Sequence, residues 1–171
     1  MKSRVKRMLA IGVFALSISV SVLGQTTGTF SRIREIKLLK TERTQIELLF
    51  GAETTGLGRD WTEYARIDGR VTFHFSPAPC GKENRDGWNV PKGTVTRIFF
   101  EPKDGVTPKK LGIDLKNFRK LEVSDAPGQY SYENPKTGMD VGVSADGTVS
   151  IVEFYPAIDL NEKLGCIPHR R

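Results

Sequence analysis

The sequence has few of the residues from which metal centres and common catalytic sites are built. Its 171 residues include only two cysteines and two histidines, and no Cys-x-x-Cys pair occurs. Structural zinc sites need clusters of such ligands, so we predict no metal and no cofactor. A Gly-x-Ser-x-Gly turn and a His-Glu-x-x-His helix are also missing, and neither cysteine has a credible histidine partner. We predict no catalytic residue, and the balance favours a protein that is not an enzyme.

One histidine keeps an enzymatic alternative open. His74 alternates with apolar residues in the run Val71–Phe75, so it should lie on the polar face of a strand beside Thr72. A solvated surface imidazole is the simpler interpretation. The alternative is a small hydrolase or small-molecule binder that uses His74 and nearby carboxylates.

Long apolar runs are equally scarce, and the one present lies at the start. Basic residues within Lys2–Arg7 precede the apolar run Met8–Leu23. Val22 and Gly24, which are of moderate and small size, then stand three residues and one residue before Gln25. This pattern is typical of a secretory signal peptide cleaved before Gln25. An uncleaved anchor is the alternative, although the run is shorter than the roughly 20 residues that a membrane span needs. No cysteine adjoins the cleavage point, so we expect no lipid attachment there. No later segment could cross a bilayer, so we expect no stable membrane insertion after cleavage.

The net positive charge comes mostly from that leader. The chain has 26 Lys and Arg against 20 Asp and Glu, a net charge of +6. The leader holds four of the basic residues and no acidic ones, which leaves 22 against 20, or +2. Nucleic acid is therefore not a predicted partner. We predict a periplasmic or secreted protein whose partner is another envelope or secreted protein.

Both cysteines, Cys80 and Cys166, follow the leader. In an oxidising compartment a single disulfide between them is the expected state, with free thiols or a metal site as alternatives. A cross-link that closes so long a loop contributes roughly 4 kcal/mol in the chain-entropy model. The bond would join a long mid-chain loop to the C-terminal tail.

A ten-residue phrase occurs twice. GTVTRIFFEP spans Gly93–Pro102, and GTVSIVEFYP spans Gly147–Pro156, an offset of 54 residues. Self-similarity at a fixed spacing is typical of one structural unit used twice, so we predict a duplication, with coincidence as the alternative. The strand before each copy also corresponds: Val71, Phe73, Phe75 and Ser76 match Met139, Val141, Val143 and Ser144.

Turn signals and hydrophobic periodicity predict the same order of helix and strands in both halves of the chain. Apolar residues at helical spacing between Thr41 and Gly51 predict a helix, and a weaker helical segment follows Thr107. Alternating runs around the Asp68-Gly69 turn predict antiparallel strands. We predict an α+β protein of two tandem helix-plus-antiparallel-meander repeats forming one domain. Its parts are the signal peptide 1–24, a flexible lead-in 25–32, a domain 33–171 with half-repeats 33–102 and 103–156, and the C-terminal tail 157–171.

The outward face of the repeated strand is the first candidate for binding. It carries Arg97 and Phe99 in the first copy, and Glu153 and Tyr155 in the second. Aromatic side chains among charges suit protein recognition. The alternative is that helices or the N-terminal segment cover this face, so that Phe99 and Tyr155 belong to a second core layer.

The connection from Pro77 to Lys92 is the second candidate. Loops of this length inside a hairpin are usually functional or disordered. Trp88 is an exposed anchor in one interpretation, and packs under its own loop in the other. A disulfide at Cys80 would stiffen this loop.

The helix phrase Leu39–Gly51 resembles the opening helix of two related groups. These are the beta-lactamase-inhibitor-protein-like domains and the small lipoproteins of the bacterial barrel-assembly machinery. The lipoprotein cysteine is absent from this chain, and Leu39-Lys40 and Glu53 depart from the pattern. The resemblance implies a helix followed by antiparallel strands, and an inhibitor-like or assembly-related role. The residues that fit the pattern are Thr41, Gln45, Ile46, Leu49, Phe50 and Gly51.

The chain as a whole is also similar to small exported bacterial proteins that carry Gly-Trp-x-Val-Pro before a Gly-Thr-Val strand. Here that phrase is Gly87–Pro91. This resemblance implies no activity.

Overall fold

A computed structural model describes residues 28–51, 55 and 60–167 of the chain. The predicted signal peptide, the first part of the lead-in and the last four residues lie outside the described residues. Three α-helices, two short 3-10 helices and seven strands make up the described part. The helices are α1 (Thr29–Arg34), α2 (Arg43–Phe50) and α3 (Ile158–Leu164), with 3-10 turns at Pro108–Leu111 and Leu115–Asn117. The strands are β1 (Trp61–Arg66), β2 (Gly69–Phe75), β3 (Val95–Pro102), β4 (Arg119–Glu122), β5 (Tyr130–Asn134), β6 (Met139–Val143) and β7 (Val149–Phe154).

All seven strands form one antiparallel sheet in the order β1-β2-β3-β7-β6-β5-β4. The α+β class is therefore confirmed. The strands β1–β3 form one meander and β4–β7 another, and the two meet where β3 pairs with β7. Within that pair Ile98 lies opposite Phe154, and Phe100 lies opposite Val152. Since Ile98 corresponds to Val152 in the repeated phrase, and Phe100 to Phe154, this register has local two-fold symmetry.

The two inner hairpins also close in the same way. A register irregularity lies between His74 and Phe75 in the first, and between Gly142 and Val143 in the second. After each irregularity comes a serine whose carbonyl accepts a hydrogen bond from the amide of the glycine that opens the repeated phrase. Both of these hydrogen bonds, Gly93 to Ser76 and Gly147 to Ser144, measure 2.9 Å.

Sequence-based expectations differ from the structure at three local points. Residues 29–34 of the expected flexible lead-in and its continuation form α1, whose Phe30 is buried in the core. The β1–β2 turn is made by Ile67 and Asp68, because Gly69 is already paired with Arg66. Strand β4 was not predicted: its four residues are all exposed, so no apolar alternation marks it.

Local side-chain bonds determine where the first two helices begin. The carboxylate of Asp68, in the β1–β2 turn, accepts from the backbone N–H of Thr29 at 2.7 Å and from its hydroxyl at 2.5 Å. Glu42 and Gln45 form a reciprocal capping box at the start of α2. The helix therefore begins at Arg43, directly after its N-cap Glu42.

The core lies between one face of the sheet and the helices. The Phe30 ring of α1 lies 5.5 Å from Phe100, and the Phe50 ring of α2 lies 5.1 Å from Phe73. Apolar residues of the two 3-10 segments pack against the same core. Burying such side chains is the main favourable term in the free energy of folding. The fully buried sheet residues are Thr62, Tyr64, Val71, Phe73, Val95, Ile98, Phe100, Val141 and Val152.

Cys80 and Cys166 form a disulfide with a Cα–Cα distance of 5.3 Å, so that prediction is confirmed. Three further contacts join the loop 77–92 to α3 and the residues that follow it. The Trp88 indole N–H donates to the side chain of Asn161 at 3.0 Å. The amide of Asn89 donates to Leu164 at 2.7 Å, and the amide of Cys166 donates to Gly87 at 2.9 Å. The loop therefore fastens the C-terminal helix to the sheet.

Candidate functional site

The face of the sheet opposite the core, here called the open face, carries the candidate residues. The helices α1 and α2 and the 3-10 segments all pack on the core side. Cross-strand registers align one residue from every strand into a row across the open face. From β1 to β4 this row contains Glu63, Thr72, Phe99, Glu153, Asp140, Glu133 and Arg119.

Phe99 is the third of the seven residues in this row and lies beside the junction of the two meanders. The His74 imidazole meets its ring edge-on, with ring centroids 5.3 Å apart. Arg97 forms an ion pair with Glu153 at 3.0 Å, and its guanidinium lies 5.9 Å from the Phe99 ring centroid. An aromatic ring, a cation and an anion are therefore presented together where the two meanders join.

Three acidic residues continue the row over the second meander. Glu153 is paired across strands with Asp140, and Asp140 with Glu133. Like charges directly opposite one another are destabilising, so this row has an energetic cost. Arg119 at the outer end forms an ion pair with Glu133 at 2.5 Å. Exposed ion pairs contribute little to stability, so these contacts mainly orient the side chains.

The Tyr155 hydroxyl, which follows β7, donates to the Asp140 carboxylate at 2.8 Å. Partial burial raises the pKa of Asp140, and that hydrogen bond offsets the shift in part. Burial and the Asp140 acceptor raise the pKa of Tyr155, so the phenol keeps its proton. Burial also raises the pKa of Glu153, with Arg97 acting in the opposite sense. The folded protein thus holds partly desolvated carboxylates on this face, an arrangement that favours an approaching cation.

His74 is placed differently from a catalytic base. Its neighbours across the strands are Trp61 and Arg97. Burial lowers the pKa of the imidazole, and the positive charge of Arg97 lowers it further. A general base is normally oriented by a carboxylate or another acceptor, and these neighbours are an indole and a guanidinium. Among the residues that the structure describes, no three His, Cys, Asp or Glu side chains are arranged as metal ligands.

Five of the six predicted binding residues share the open face: His74, Arg97, Phe99, Glu153 and Tyr155. Trp88 does not. It is half-buried, and it lies in the loop that holds α3 through Asn161. This is close to the interpretation in which the tryptophan stiffens its own loop, but the contact is with a distant helix.

Sequence analysis missed the alignment of Glu133, Asp140 and Glu153. The signal was available in the turn between Asn134 and Gly138, which places Glu133 opposite Asp140 once the hairpin is drawn. The position of β7 beside β3 was not available, because it depends on how the two meanders dock.

No family model, curated protein or solved structure matches this chain. None of the described helices is long and apolar enough to cross a membrane.

Proposed function

We propose that this protein is an exported, non-enzymatic binding module of the bacterial cell envelope, and that it recognises another protein through the open face. The observation that carries the proposal is the cluster at the junction of the two meanders. There, Phe99 lies beside His74 and the Arg97–Glu153 ion pair. Aromatic and arginine side chains supply most of the binding energy in protein interfaces.

The charge of the second meander suggests what the partner presents. Over the second meander the row consists of three carboxylates, Glu153, Asp140 and Glu133, followed by one cation, Arg119. A partner with lysine or arginine side chains opposite Asp140 would relieve the repulsion among them. Such complementarity would act mainly on the association rate and on selectivity.

Location and ancestry belong to the same proposal. The leader pattern and the Cys80–Cys166 disulfide favour a periplasmic or secreted protein, since disulfides persist in oxidising compartments. The symmetric β3–β7 register and the two equivalent turn closures support an origin by duplication of a helix-plus-meander unit. An inhibitor-like or assembly-related role, which the resemblance of the α2 phrase implies, is one form that this binding would take.

A hydrolase that uses His74 has less support. It would need an acid–base pair at that position, and the cross-strand neighbours of His74 are Trp61 and Arg97. We therefore place binding first.

The test is capture of envelope proteins on immobilised residues 25–171, with two glutamate variants of matched chemistry. Phe99→Glu places a charge on the open face. Ile67→Glu places the same charge at a β1–β2 turn residue that is 88% exposed. We expect a partner to bind the wild type and Ile67→Glu and to be lost from Phe99→Glu, with circular dichroism showing both variants folded. Equal recovery on all three chains would refute the open face as the binding surface.

A further inference from the structure

A cavity of about 290 Å³ lies on the core side of the sheet, and Tyr155, whose hydroxyl donates to Asp140 of the open face, is among the residues that line it. Its lining includes Ile98 of β3 and Phe154 of β7, where the two meanders meet, and Met139 of the neighbouring strand β6. Ile33 of α1 lines one side, and Leu160 of α3 lines another. The cavity opens to solvent, so a ligand can enter it, and most of the side chains that line it are apolar.

The order of elements explains why the space is there. Helix α2 covers the first meander, since its Phe50 ring lies 5.1 Å from Phe73. Helix α1 lies over the junction of the two meanders, since its Phe30 ring lies 5.5 Å from Phe100 of β3 and 5.9 Å from Phe154 of β7. Over the second meander the cover comes from the 3-10 segments, whose apolar residues join the same core. The cavity lies between α1, with the segment that follows it, and the start of α3, and residues of the turn before β6 line its edge.

Its lining indicates the class of ligand. Small-molecule sites are concave, mostly apolar, and contain a few polar groups that orient the ligand. Of the described residues that line this cavity, Arg34 alone carries a charge, and it lies in the last turn of α1. A ligand with an apolar chain in the cavity and one anionic group beside Arg34 would match both the apolar lining and its single positive charge.

The α3 side of the cavity is held in place from a distance. Ala157 and Leu160 line the cavity, and the next residue, Asn161, accepts the hydrogen bond from Trp88. The disulfide at Cys166 anchors the chain just beyond this helix. A wall fixed in this way favours a site formed before the ligand arrives, which lowers the entropic cost of binding.

We propose that this cavity binds a small amphiphile that has an apolar chain and a single anionic head group, with the head group paired to Arg34. Of the open-face residues named above, the cavity shares Tyr155 alone, and the proposal does not rest on the protein-binding function. Decanoate is the probe, used below its micelle concentration, and 1-decanol is its uncharged counterpart.

The charge is tested by Arg34→Gln, with Arg32→Gln as the matched control on the same helix. The Arg32 guanidinium donates to the carbonyl of Leu49 at 3.5 Å, and Arg32 is not among the residues that line the cavity. Calorimetric titration should show decanoate bound about three- to tenfold more weakly by Arg34→Gln. The affinity for 1-decanol should stay unchanged, and Arg32→Gln should behave as wild type.

The cavity itself is tested by Ala157→Leu, which fills it from the rim, with Ala65→Leu as the control on the opposite face. Ala65 is exposed on β1. We expect Ala157→Leu to weaken the binding of both ligands at least tenfold. The Met139 methyl resonance should shift when wild type or Ala65→Leu is titrated with ligand, and should not shift in Ala157→Leu. The absence of saturable binding by the folded wild-type chain would overturn the proposal. Equal losses in the variants and their controls would do so as well.

Discussion

The two inner hairpins, β2–β3 and β6–β7, close with the same hydrogen bonds although their connections differ greatly in length. In the first, the Ser76 amide donates to Thr94 at 2.8 Å across a connection that contains residues 77–92. In the second, the Ser144 amide donates to Thr148 at 2.8 Å across residues 145–147 alone. The long loop therefore extends from the turn without altering the way the strands are paired.

The difference between the hairpins explains what the loop contributes. A tight turn needs only to reverse the chain, as the Asp146-Gly147 turn does. The loop 77–92 also bonds α3 through Trp88 and Asn89 and carries Cys80. Strand pairing is thus common to both halves, and the attachment of the C-terminal helix belongs to the first half.

The largest effect that would test this division is removal of the disulfide. The double variant Cys80→Ser, Cys166→Ser should lower the free energy of unfolding by about 2–4 kcal/mol, because the unfolded chain regains the freedom of a loop with a sequence separation of 86 residues. Urea denaturation measures the loss.

Hydrogen exchange in the same double variant shows which part of the protein loses stability. We expect the amides of Asn89 and Cys166, which bond across the loop and tail, to lose protection, while those of Ser76 and Gly93 keep it. Equal loss of protection at all four amides would mean that the loop and the strand closure form one unit, contrary to the comparison.

Much of this arrangement could be predicted from local pattern, and the rest depends on distant contacts. Alternation located β2, β3, β6 and β7, and the two cysteines sufficed for the disulfide. Strand β4 has no apolar alternation, since it is an exposed edge strand that pairs with β5 alone. The bond from Trp88 to Asn161 joins residues 73 apart, and no local signal encodes it.

The candidate site divides in the same way. Alternation brings Arg97 and Phe99 onto the outward side of β3, and Glu153 and Tyr155 onto the same side after the repeat. That these two groups are neighbours follows from the docking of β3 on β7, which the hydrophobic pattern of either strand leaves undecided.

A smaller effect tests whether the two turns are equivalent. Gly93 and Gly147 both have φ of 82°, a left-handed conformation that costs other residues roughly 1–2 kcal/mol. A Cβ at Gly147 would meet no atom within 4 Å, and one at Gly93 would meet only the Arg43 Cβ at 4.0 Å. Gly93→Ala and Gly147→Ala should therefore destabilise by similar amounts, about 1–2 kcal/mol each, in thermal or urea denaturation.

Asparagine provides the control at both positions, because it adopts left-handed backbone more readily than alanine. Gly93→Asn and Gly147→Asn should each cost less than the alanine exchange. If one alanine variant were far more costly than the other, the long loop would be straining its turn, and the equivalence of the two closures would fail.

The smallest effect compares two aspartates of the second meander, one in the row of the open face and one in the turn. Partial burial raises the folded pKa of Asp140, so the folded protein holds this proton more tightly than the unfolded chain. The stability that this tighter proton binding gives the folded protein is fully present below the unfolded pKa of about 3.9, and it is lost as the pH rises through the folded pKa. Asp146 accepts from the Thr148 hydroxyl at 2.6 Å and from its amide at 3.0 Å, and these bonds lower its pKa. Its contribution is therefore present above about pH 3.9 and is lost as the pH falls through the folded value.

Asp140→Asn should consequently leave the protein as stable as wild type or more stable at pH 7, and this difference should vanish towards pH 4. Asp146→Asn should be less stable than wild type at pH 7, and that difference should shrink as the pH falls. Denaturation at a series of pH values measures both curves, in two variants that carry the same chemical exchange. Curves of the same sign would mean that the row of carboxylates on the open face is not desolvated as the structure places it. The proposal that the acidic half of the open face binds a basic partner would then lose its support.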